Sequence, residues 1–313
     1  MNDLKLLDVA VLLITYKRID TTKQVFKAIQ KAKPSRLYIS SNIAKTDKEN
    51  KDVYLIRKYL EANINWKCDI KKMYRSEHLN AKQSISGAIN WFFENEKMGI
   101  ILEDDCLPSQ SFFRFSEEML NKYKDDMRIG QISGTNILGE YSINQDSYHF
   151  SNFGSIWGWA TWRRAWALYD IEMKTWPFVR DNKLLKSVII NDAEYGSRIK
   201  SFEKTYTNKI DTWDFQWIYT RLINHMLIII PSKNLISNIG FSSDATHTND
   251  QNSALNNQDR YDDIFPLNHP MHFIPNKIFE ELAHSKKTRF LLFRVINKLK
   301  RDGLRKAILD IVS

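Results

Sequence analysis

The chain has 313 residues, of which 43% are hydrophobic and 27% are charged. This composition supports a sizeable core and excludes disordered, collagen-like and disulfide-stapled proteins. Only two cysteines occur, Cys68 and Cys106, so we expect a reducing cytoplasm rather than a disulfide framework. Because the sequence contains no apolar run long enough for a signal peptide or a membrane span, it predicts a soluble or peripheral protein.

The net charge of +9 is concentrated at the carboxyl terminus. Nine Lys or Arg and two Asp lie between Ser285 and Ser313, so the remaining body is nearly neutral. A neutral body excludes the broad basic footprint of a nucleic-acid-binding protein. Apolar residues alternate with the basic ones in this tail, which leaves two interpretations. It is either an amphipathic helix on the anionic inner face of the cytoplasmic membrane, or a docked helix with a solvated basic face.

Apolar and amphipathic segments alternate along the first third of the chain. The pattern predicts strands at 8–15, 36–41, 65–73 and 99–105, and helices at 21–33, 48–62 and 79–97, the first capped by Thr21 or Thr22. This alternation indicates an α/β fold with a mostly parallel, doubly wound sheet. The rest of the chain is irregular and rich in tryptophan, with predicted helices at 191–204 and 213–226, a strand at 227–231 and a polar loop at 241–259.

Three consecutive carboxylates, Glu103, Asp104 and Asp105, end the fourth predicted strand. Ligands bind at the carboxyl edge of parallel sheets, and adjacent carboxylates at such an edge need compensating charge. We therefore expect a Mg²⁺ or Mn²⁺ ion here, held together with a diphosphate. The alternative is an acidic turn that caps the helix beginning near Ser109.

A second carboxylate, Asp214, lies between Trp213 and Trp217. Partial desolvation by these rings would raise its pKa and suit a general base. The alternative is that Asp211 or Asp214 caps a helix and the tryptophans belong to the core.

Two tryptophans in a glycine-containing segment, Trp157 and Trp159, suggest stacking platforms for sugar rings, whereas the spacing of Trp162 and Trp166 is typical of core residues. Arg18 and Arg75 follow predicted strands and could contact a diphosphate or lie at the surface. His247 is a loop histidine without a partner motif. The sequence contains no Gly-x-Gly-x-x-Gly, P-loop, zinc-ligand or Gly-x-Ser-x-Gly pattern. This argues against a dinucleotide-dependent redox enzyme, a P-loop NTPase, a structural zinc site and a hydrolase with a serine nucleophile elbow.

Several blocks occur in a familiar order, at 11–18, 99–113, 153–159, 213–217 and 231–241. Together they resemble GT-A-fold glycosyltransferases, and within these the inverting N-acetylglucosaminyltransferase I-like group and its bacterial relatives. The resemblance implies a GT-A (Rossmann-like) nucleotide-diphospho-sugar transferase fold with a mostly parallel central sheet and a C-terminal helical tail. It implies a transferase domain at 1–283, divided into a nucleotide-binding half (1–105) and an acceptor-binding half (106–283), and a basic tail at 284–313.

The resemblance also implies roles for individual residues. Asp105 would contact the metal, Glu103 and Asp104 would hold the ribose and the donor sugar, and Asp214 would be the catalytic base. The remaining implied nucleotide contacts are Thr15, Arg18, Asn42 and Arg75, and the implied acceptor contacts are Trp157, Trp159 and Trp213.

The chain departs from the pattern of this group at two sites. Phe215 replaces the second acid of its Trp-Asp-Asp-Trp block, and Ser41-Asn42 replaces the acid after the second strand. We expect a metal-dependent inverting glycosyltransferase that moves a sugar, from UDP by preference, to a glycan or lipid-linked acceptor in bacterial surface polysaccharide synthesis. The alternatives are a sugar-phosphate nucleotidyltransferase, disfavoured because 15–20 contains no glycine, and a non-catalytic carbohydrate-binding protein at the membrane surface.

Overall fold

The structure is a computed structural model that describes residues 7–189, 191–240 and 257–288. His247, most of the predicted loop at 241–259 and the basic tail beyond residue 288 lie outside these ranges. Within them, no helix combines the length and the apolar character needed to cross a bilayer.

The first third of the chain alternates strands and helices, as the sequence predicts. The elements are β1 (Ala10–Thr15), α1 (Ile19–Ala32), β2 (Arg36–Ser41), α2 (Asp47–Asn63), β3 (Asp69–Tyr74), α3 (Ala81–Asn95) and β4 (Met98–Glu103).

The remaining part contains short strands that the sequence pattern does not reveal. The elements are β5 (Cys106–Pro108), α4 (Gln110–Lys122), β6 (Ile129–Ser133), β7 (Tyr148–Ser151), β8 (Trp159–Trp162), α5 (Arg163–Trp166), α6 (Trp176–Asp181), a 3₁₀ turn (Leu184–Ser187), α7 (Asp192–Tyr206), α8 (Asp214–Ile223), β9 (Leu227–Pro231) and β10 (Ile236–Asn238). Residues 277–288 are also helical, so a helix crosses the predicted start of the tail at residue 284. Strands of three to five residues, as β5 to β8 are, are too short to produce a clear periodic signal.

Eight of the described strands form one sheet in the order β3-β2-β1-β4-β8-β6-β9-β7. The first four are mutually parallel, β6 is parallel to β9, and β8 and β7 run antiparallel to their neighbours. This is an α/β, Rossmann-like fold with a large, mostly parallel central sheet, and it confirms the predicted fold class. Because β1 pairs Thr15 with Ser41 and Ile14 with Glu103, three strand ends meet at one edge.

Strand β1 is buried over its whole length because helices cover both faces of the sheet. On one face Val11 and Leu13 pack with Phe26 of α1, and on the other face Leu12 packs with Phe92 of α3. Side chains alternate between faces along a strand, so a continuous apolar run suits a strand buried on both sides.

The start of α1 differs from the prediction that Thr21 or Thr22 caps it. The helix begins at Ile19, and Arg18 occupies the N-cap without a side-chain hydrogen bond. The Thr22 hydroxyl is buried and donates instead to the Arg18 carbonyl, 2.5 Å away. The helix therefore begins two to three residues earlier and leaves only residues 16–18 between β1 and α1.

Candidate functional site

A cavity of about 690 Å³ opens at the carboxyl edge of β1, β2 and β4. On the other side it is bounded by the segment leading into α8 and by residues of the 156–157 turn. The cavity brings together nine of the residues that the sequence singled out: Thr15, Arg18, Asn42, Glu103, Asp104, Asp105, Trp157, Trp213 and Asp214.

Arg18 links the acids at the centre of this cavity. Its Nη2 lies 2.9 Å from Oδ1 of Asp104, and its Nη1 donates to Oδ2 of Asp105 over 2.6 Å. The backbone N–H of Tyr16 donates to the other oxygen of Asp104, at 2.9 Å. Burial lowers the pKa of Arg18, but the adjacent Asp104 and Asp105 outweigh burial and raise it. The short β1–α1 turn therefore supplies one fixed cation and one backbone donor to the acids.

Glu103 is the first acid of the triplet and ends β4 beside β1. Burial raises the pKa of its carboxyl, and the nearby charges of Asp105 and Asp104 raise it further. Arg18 opposes this effect only in part. Full ionisation of all three acids at this edge is therefore unfavourable unless further positive charge is supplied.

Gly240 closes the cavity directly behind the pair formed by Arg18 and Asp105. A Cβ placed at Gly240 would lie 2.2 Å from Oδ2 of Asp105 and 2.6 Å from Nη1 of Arg18. The Asp105 carbonyl also accepts a hydrogen bond from the N–H of Ile239, at 2.8 Å. The chain after β10 is thus held so close to the acids that any side chain at position 240 would force Asp105 and Arg18 to shift.

The charges around the cavity decide whether a metal ion fits there. Six carboxylates and three Lys or Arg side chains line it, and a diphosphate would add further negative charge. Within the described ranges no group of three or more His, Cys, Asp and Glu side chains is arranged to hold a metal. Mg²⁺ needs few protein ligands, since it is usually bound by one or two carboxylates together with phosphate oxygens. The lining is therefore compatible with a divalent cation that binds together with a diphosphate.

Asp214, the first residue of α8, also lines this cavity. The Thr212 hydroxyl donates to its Oδ1. Its charge also contributes to raising the pKa of Glu103, as expected for acids that share one cavity. The other acid of this segment, Asp211, accepts hydrogen bonds from the N–H groups of Ala81 and Lys82, both at 3.0 Å, and so caps α3 rather than α8.

The predicted tryptophans divide between the cavity and the core. Trp157 is half-buried and lines the cavity. Trp213 is 4% exposed and lines the cavity while stacking on Trp159 at a centroid distance of 5.7 Å. Trp159 is 1% exposed and packs between Trp213 and Trp217, so it is a core residue rather than the predicted acceptor platform. The reason is that Trp159 begins the central strand β8, whose side chains are covered on both faces.

Two predicted nucleotide contacts are engaged within the protein. The side-chain amide of Asn42 donates to the Leu79 carbonyl at 2.8 Å and accepts from the N–H of Ile43 at 3.0 Å, which fixes the turn after β2 at the cavity wall. Arg75 does not line the cavity. Its Nη2 lies 3.5 Å from the Ser84 carbonyl and close to Gly87, so it packs on α3.

Other cavity residues were not singled out by the sequence. Lys17 pairs with Glu49 beside the cavity, and the Nδ1 of His78 lies 2.7 Å from the Ile43 carbonyl. Lys17 and His78 follow β1 and β3, and Glu49 lies in the first turn of α2. Their positions after predicted strands were the signal by which the sequence could have identified them as cavity residues.

No protein-family model and no curated protein matches the chain. Among solved structures, HddC from Yersinia pseudotuberculosis is similar with 10% identity, a TM-score of 0.31, and coverage of 50% of this chain and 77% of HddC. A 4-diphosphocytidyl-2C-methyl-D-erythritol synthase from Anaerococcus prevotii is similar with 11% identity, a TM-score of 0.34, and coverage of 54% of this chain and 77% of the synthase. A UDP-glucose pyrophosphorylase complexed with UDP-glucose is similar with 11% identity, a TM-score of 0.27, and coverage of 47% of this chain and 63% of the pyrophosphorylase. Overlaps this small assign neither a family nor a reaction.

Proposed function

We propose that the protein is a metal-dependent inverting glycosyltransferase of the GT-A type, which transfers a sugar from a nucleoside diphosphate, preferably UDP, to a glycan or lipid-linked acceptor. The observation that carries the proposal is that Asp214, at the start of α8, lines the same cavity as the acids Glu103 to Asp105 at the strand ends. Such a transfer needs both, because the donor must be held at one wall while a base activates the acceptor at the other.

On the donor wall, Glu103 and Asp104 would hold the ribose and the donor sugar, and Asp105 would hold the metal. The bound cation would neutralise charge that develops on the departing diphosphate. Arg18 would keep the two aspartates in place through the contacts of 2.9 and 2.6 Å described above. When a diphosphate arrives, its oxygens can also accept from this guanidinium.

On the acceptor wall, Asp214 would take the proton from an acceptor hydroxyl. The hydroxyl oxygen then attacks the anomeric carbon from the face opposite the nucleoside diphosphate, which leaves with the electrons of the broken C–O bond. The hydrogen bond from Thr212 orients the carboxylate for this step. Trp157 and Trp213 line the cavity and would contact the acceptor sugar.

The second candidate is nucleotidyl transfer, which joins a sugar phosphate to a nucleotide and would use the same acidic edge. It has the support that one similar structure is named as a pyrophosphorylase. Against it, only Tyr16, Lys17 and Arg18 separate β1 from α1, and this turn lacks the glycines whose backbone N–H groups could surround a triphosphate.

The first experiment is a calorimetric titration with UDP, GDP and CDP, each with and without Mn²⁺. We expect one nucleotide to bind only when Mn²⁺ is present. In Asp105→Asn, Mn²⁺ should no longer promote this binding. The matched control is Asp125→Asn, because Asp125 is exposed and does not line the cavity. Binding that is equal for all nucleotides and indifferent to Mn²⁺ would contradict a donor site.

The second experiment separates the two reactions by their products. Glycosyl transfer releases UDP from a UDP-sugar when an acceptor is present, whereas nucleotidyl transfer releases pyrophosphate from UTP and a sugar 1-phosphate. Pyrophosphate release that requires Asp105 would replace the first proposal by the second. Unchanged cellular glycan in both Asp105→Ala and Asp214→Ala strains would instead favour a carbohydrate-binding protein.

A further inference from the structure

Four large apolar side chains are exposed in one short stretch that leads into the helical segment 277–288 and runs along it. Met271, Ile274, Ile278 and Leu282 are 85%, 70%, 64% and 45% exposed. Three of them are among the four most exposed large apolar side chains of the described residues. We call these four residues the apolar patch. Single exposed apolar residues are ordinary at a protein surface, whereas several in one place mark an interaction surface.

The opposite face of the helical segment 277–288 is packed on the body of the protein, which holds the apolar patch outward. Phe279 is 2% exposed and packs on the side chains of β9. Oε1 of Glu280 accepts a hydrogen bond from the backbone N–H of Asn152 at 2.6 Å. The two helical members of the apolar patch are four residues apart, so they lie together on the remaining face.

The charges next to the apolar patch come mainly from the chain that follows it. Lys277 and Glu281 are the exposed charged residues beside the helical members of the patch, and their charges cancel. From Ser285 to Ser313, the sequence holds nine Lys or Arg against two Asp. An exposed apolar face joined to a strongly basic segment is the combination that binds an anionic lipid surface.

The sequence of the tail continues the helical period of the apolar patch. In turns of about 3.6 residues counted from Ile278, Leu292, Phe293 and Ile296 recur at the same period. With this period, the tail would extend the apolar face and would not cover it. A second copy of the chain would bring two basic segments to one surface, which repulsion between like charges disfavours. An extended anionic surface suits both the apolar face and the basic segment.

We propose that the apolar patch and the basic tail dock the protein on the surface of an anionic phospholipid bilayer, with the patch inserted between the headgroups. This docking goes beyond the proposed reaction and does not depend on it. It would bring a lipid-linked acceptor to the side of the molecule where the acceptor wall is anchored. The anchor is the contact between Glu280 and Asn152, because the chain that continues from Asn152 lines the cavity at Trp157.

The test is sedimentation of the full-length protein with vesicles, without nucleotide or metal. We expect the protein to bind vesicles of mixed phosphatidylcholine and phosphatidylglycerol, and to bind pure phosphatidylcholine much more weakly because the basic tail then has no anionic partner. Ile278→Gln and Leu282→Gln should each lower binding to the mixed vesicles about tenfold, since burial of one such side chain contributes about that factor. Both positions are exposed and glutamine suits a helix, so the fold should be retained.

The matched control is Leu55→Gln, since Leu55 is 56% exposed and lies on α2, which packs at the other end of the sheet. It should bind vesicles as the unmodified protein does. Binding that is unchanged in both Ile278→Gln and Leu282→Gln would overturn the proposal, because the tail would then act without the patch. Absence of binding to the mixed vesicles would also overturn it.

Analytical ultracentrifugation tests the other occupant of the apolar patch, a second copy of the chain. We expect a monomer in the absence of vesicles. A dimer that dissociates in Ile278→Gln would assign the patch to self-association and overturn the proposal. Because neither measurement contains UDP or Mn²⁺, each outcome is independent of whether the donor site exists.

Discussion

Replacing Gly240 by alanine probes the contact between the chain after β10 and the acids of the cavity. The added Cβ would lie 2.2 Å from Oδ2 of Asp105 and 2.6 Å from Nη1 of Arg18, both too close for non-bonded atoms. The φ of Gly240 is not in the left-handed region, so alanine meets a steric obstacle and no conformational one. We expect the carboxylate and the guanidinium to separate.

The magnitude follows from the hydrogen bond that is lost. The side chains of Arg18 and Asp105 are 20% and 14% exposed, so solvent screens their contact only in part. A charge-assisted hydrogen bond contributes about 1.5–3 kcal/mol, and the reduced freedom of the unfolded chain in Gly→Ala returns about 0.4–1 kcal/mol. The free energy of unfolding should therefore fall by about 1–2 kcal/mol, and metal-dependent affinity for UDP should fall with it because Asp105 is displaced.

Chemical denaturation gives the first quantity, and calorimetric titration with UDP and Mn²⁺ gives the second. Gly196→Ala is the matched control, since Gly196 lies inside α7 with no atom within 4 Å of an added Cβ. It should stabilise the protein by about 0.5–1 kcal/mol, the usual advantage of alanine over glycine within a helix. An unfolding midpoint for Gly240→Ala at or above that of the unmodified protein would refute the steric argument.

Three further predictions concern the two walls of the cavity and a buried histidine. Asp214→Asn should keep the affinity for the nucleotide but lower turnover about 10²–10⁴-fold, the usual contribution of a general base, as measured by UDP release. Chelation of divalent ions with EDTA should abolish UDP binding, and Mn²⁺ should restore it in the unmodified protein but not in Asp105→Asn. His149 is 5% exposed and burial lowers its pKa to about 4, so the folded state favours the neutral form of the imidazole. Its contribution to stability is complete above about pH 6.5 and should be lost as the pH falls to about 4, by about 3 kcal/mol. Denaturation from pH 7 to pH 4 should show a smaller loss in His149→Phe, whose ring needs no hydrogen bond.

Each of these predictions has a clear contrary outcome. Loss of nucleotide affinity in Asp214→Asn, comparable to the loss of turnover, would place Asp214 on the donor wall. UDP binding that survives EDTA would show that the cationic side chains of the cavity compensate the diphosphate without a metal. Identical pH profiles for His149→Phe and the unmodified protein would mean that other groups cause the acid sensitivity.

The sequence predicts the first half of the fold well because its signals are local. Continuous apolar runs gave β1, β2 and β4, and the helices α2 and α3 begin at the side-chain caps Thr46 and Asn80. The acids Glu103, Asp104 and Asp105 at the end of β4 predict a functional edge, since charge after a buried strand has a high solvation cost unless it is compensated. The sequence singled out Asp214 by its aromatic neighbours, but only the folded chain brings it into the same cavity as the triplet.

The tertiary structure alone decided which of these residues meet. Trp157 and Trp159 are two positions apart, yet β8 takes Trp159 into the core while Trp157 stays in the turn at the cavity. Arg18 and Arg75 both follow strands, but only Arg18 contacts the acids, because the side chain of Arg75 packs on α3. Periodicity and composition report what each segment buries, whereas contacts between distant segments depend on how the helices pack on the sheet.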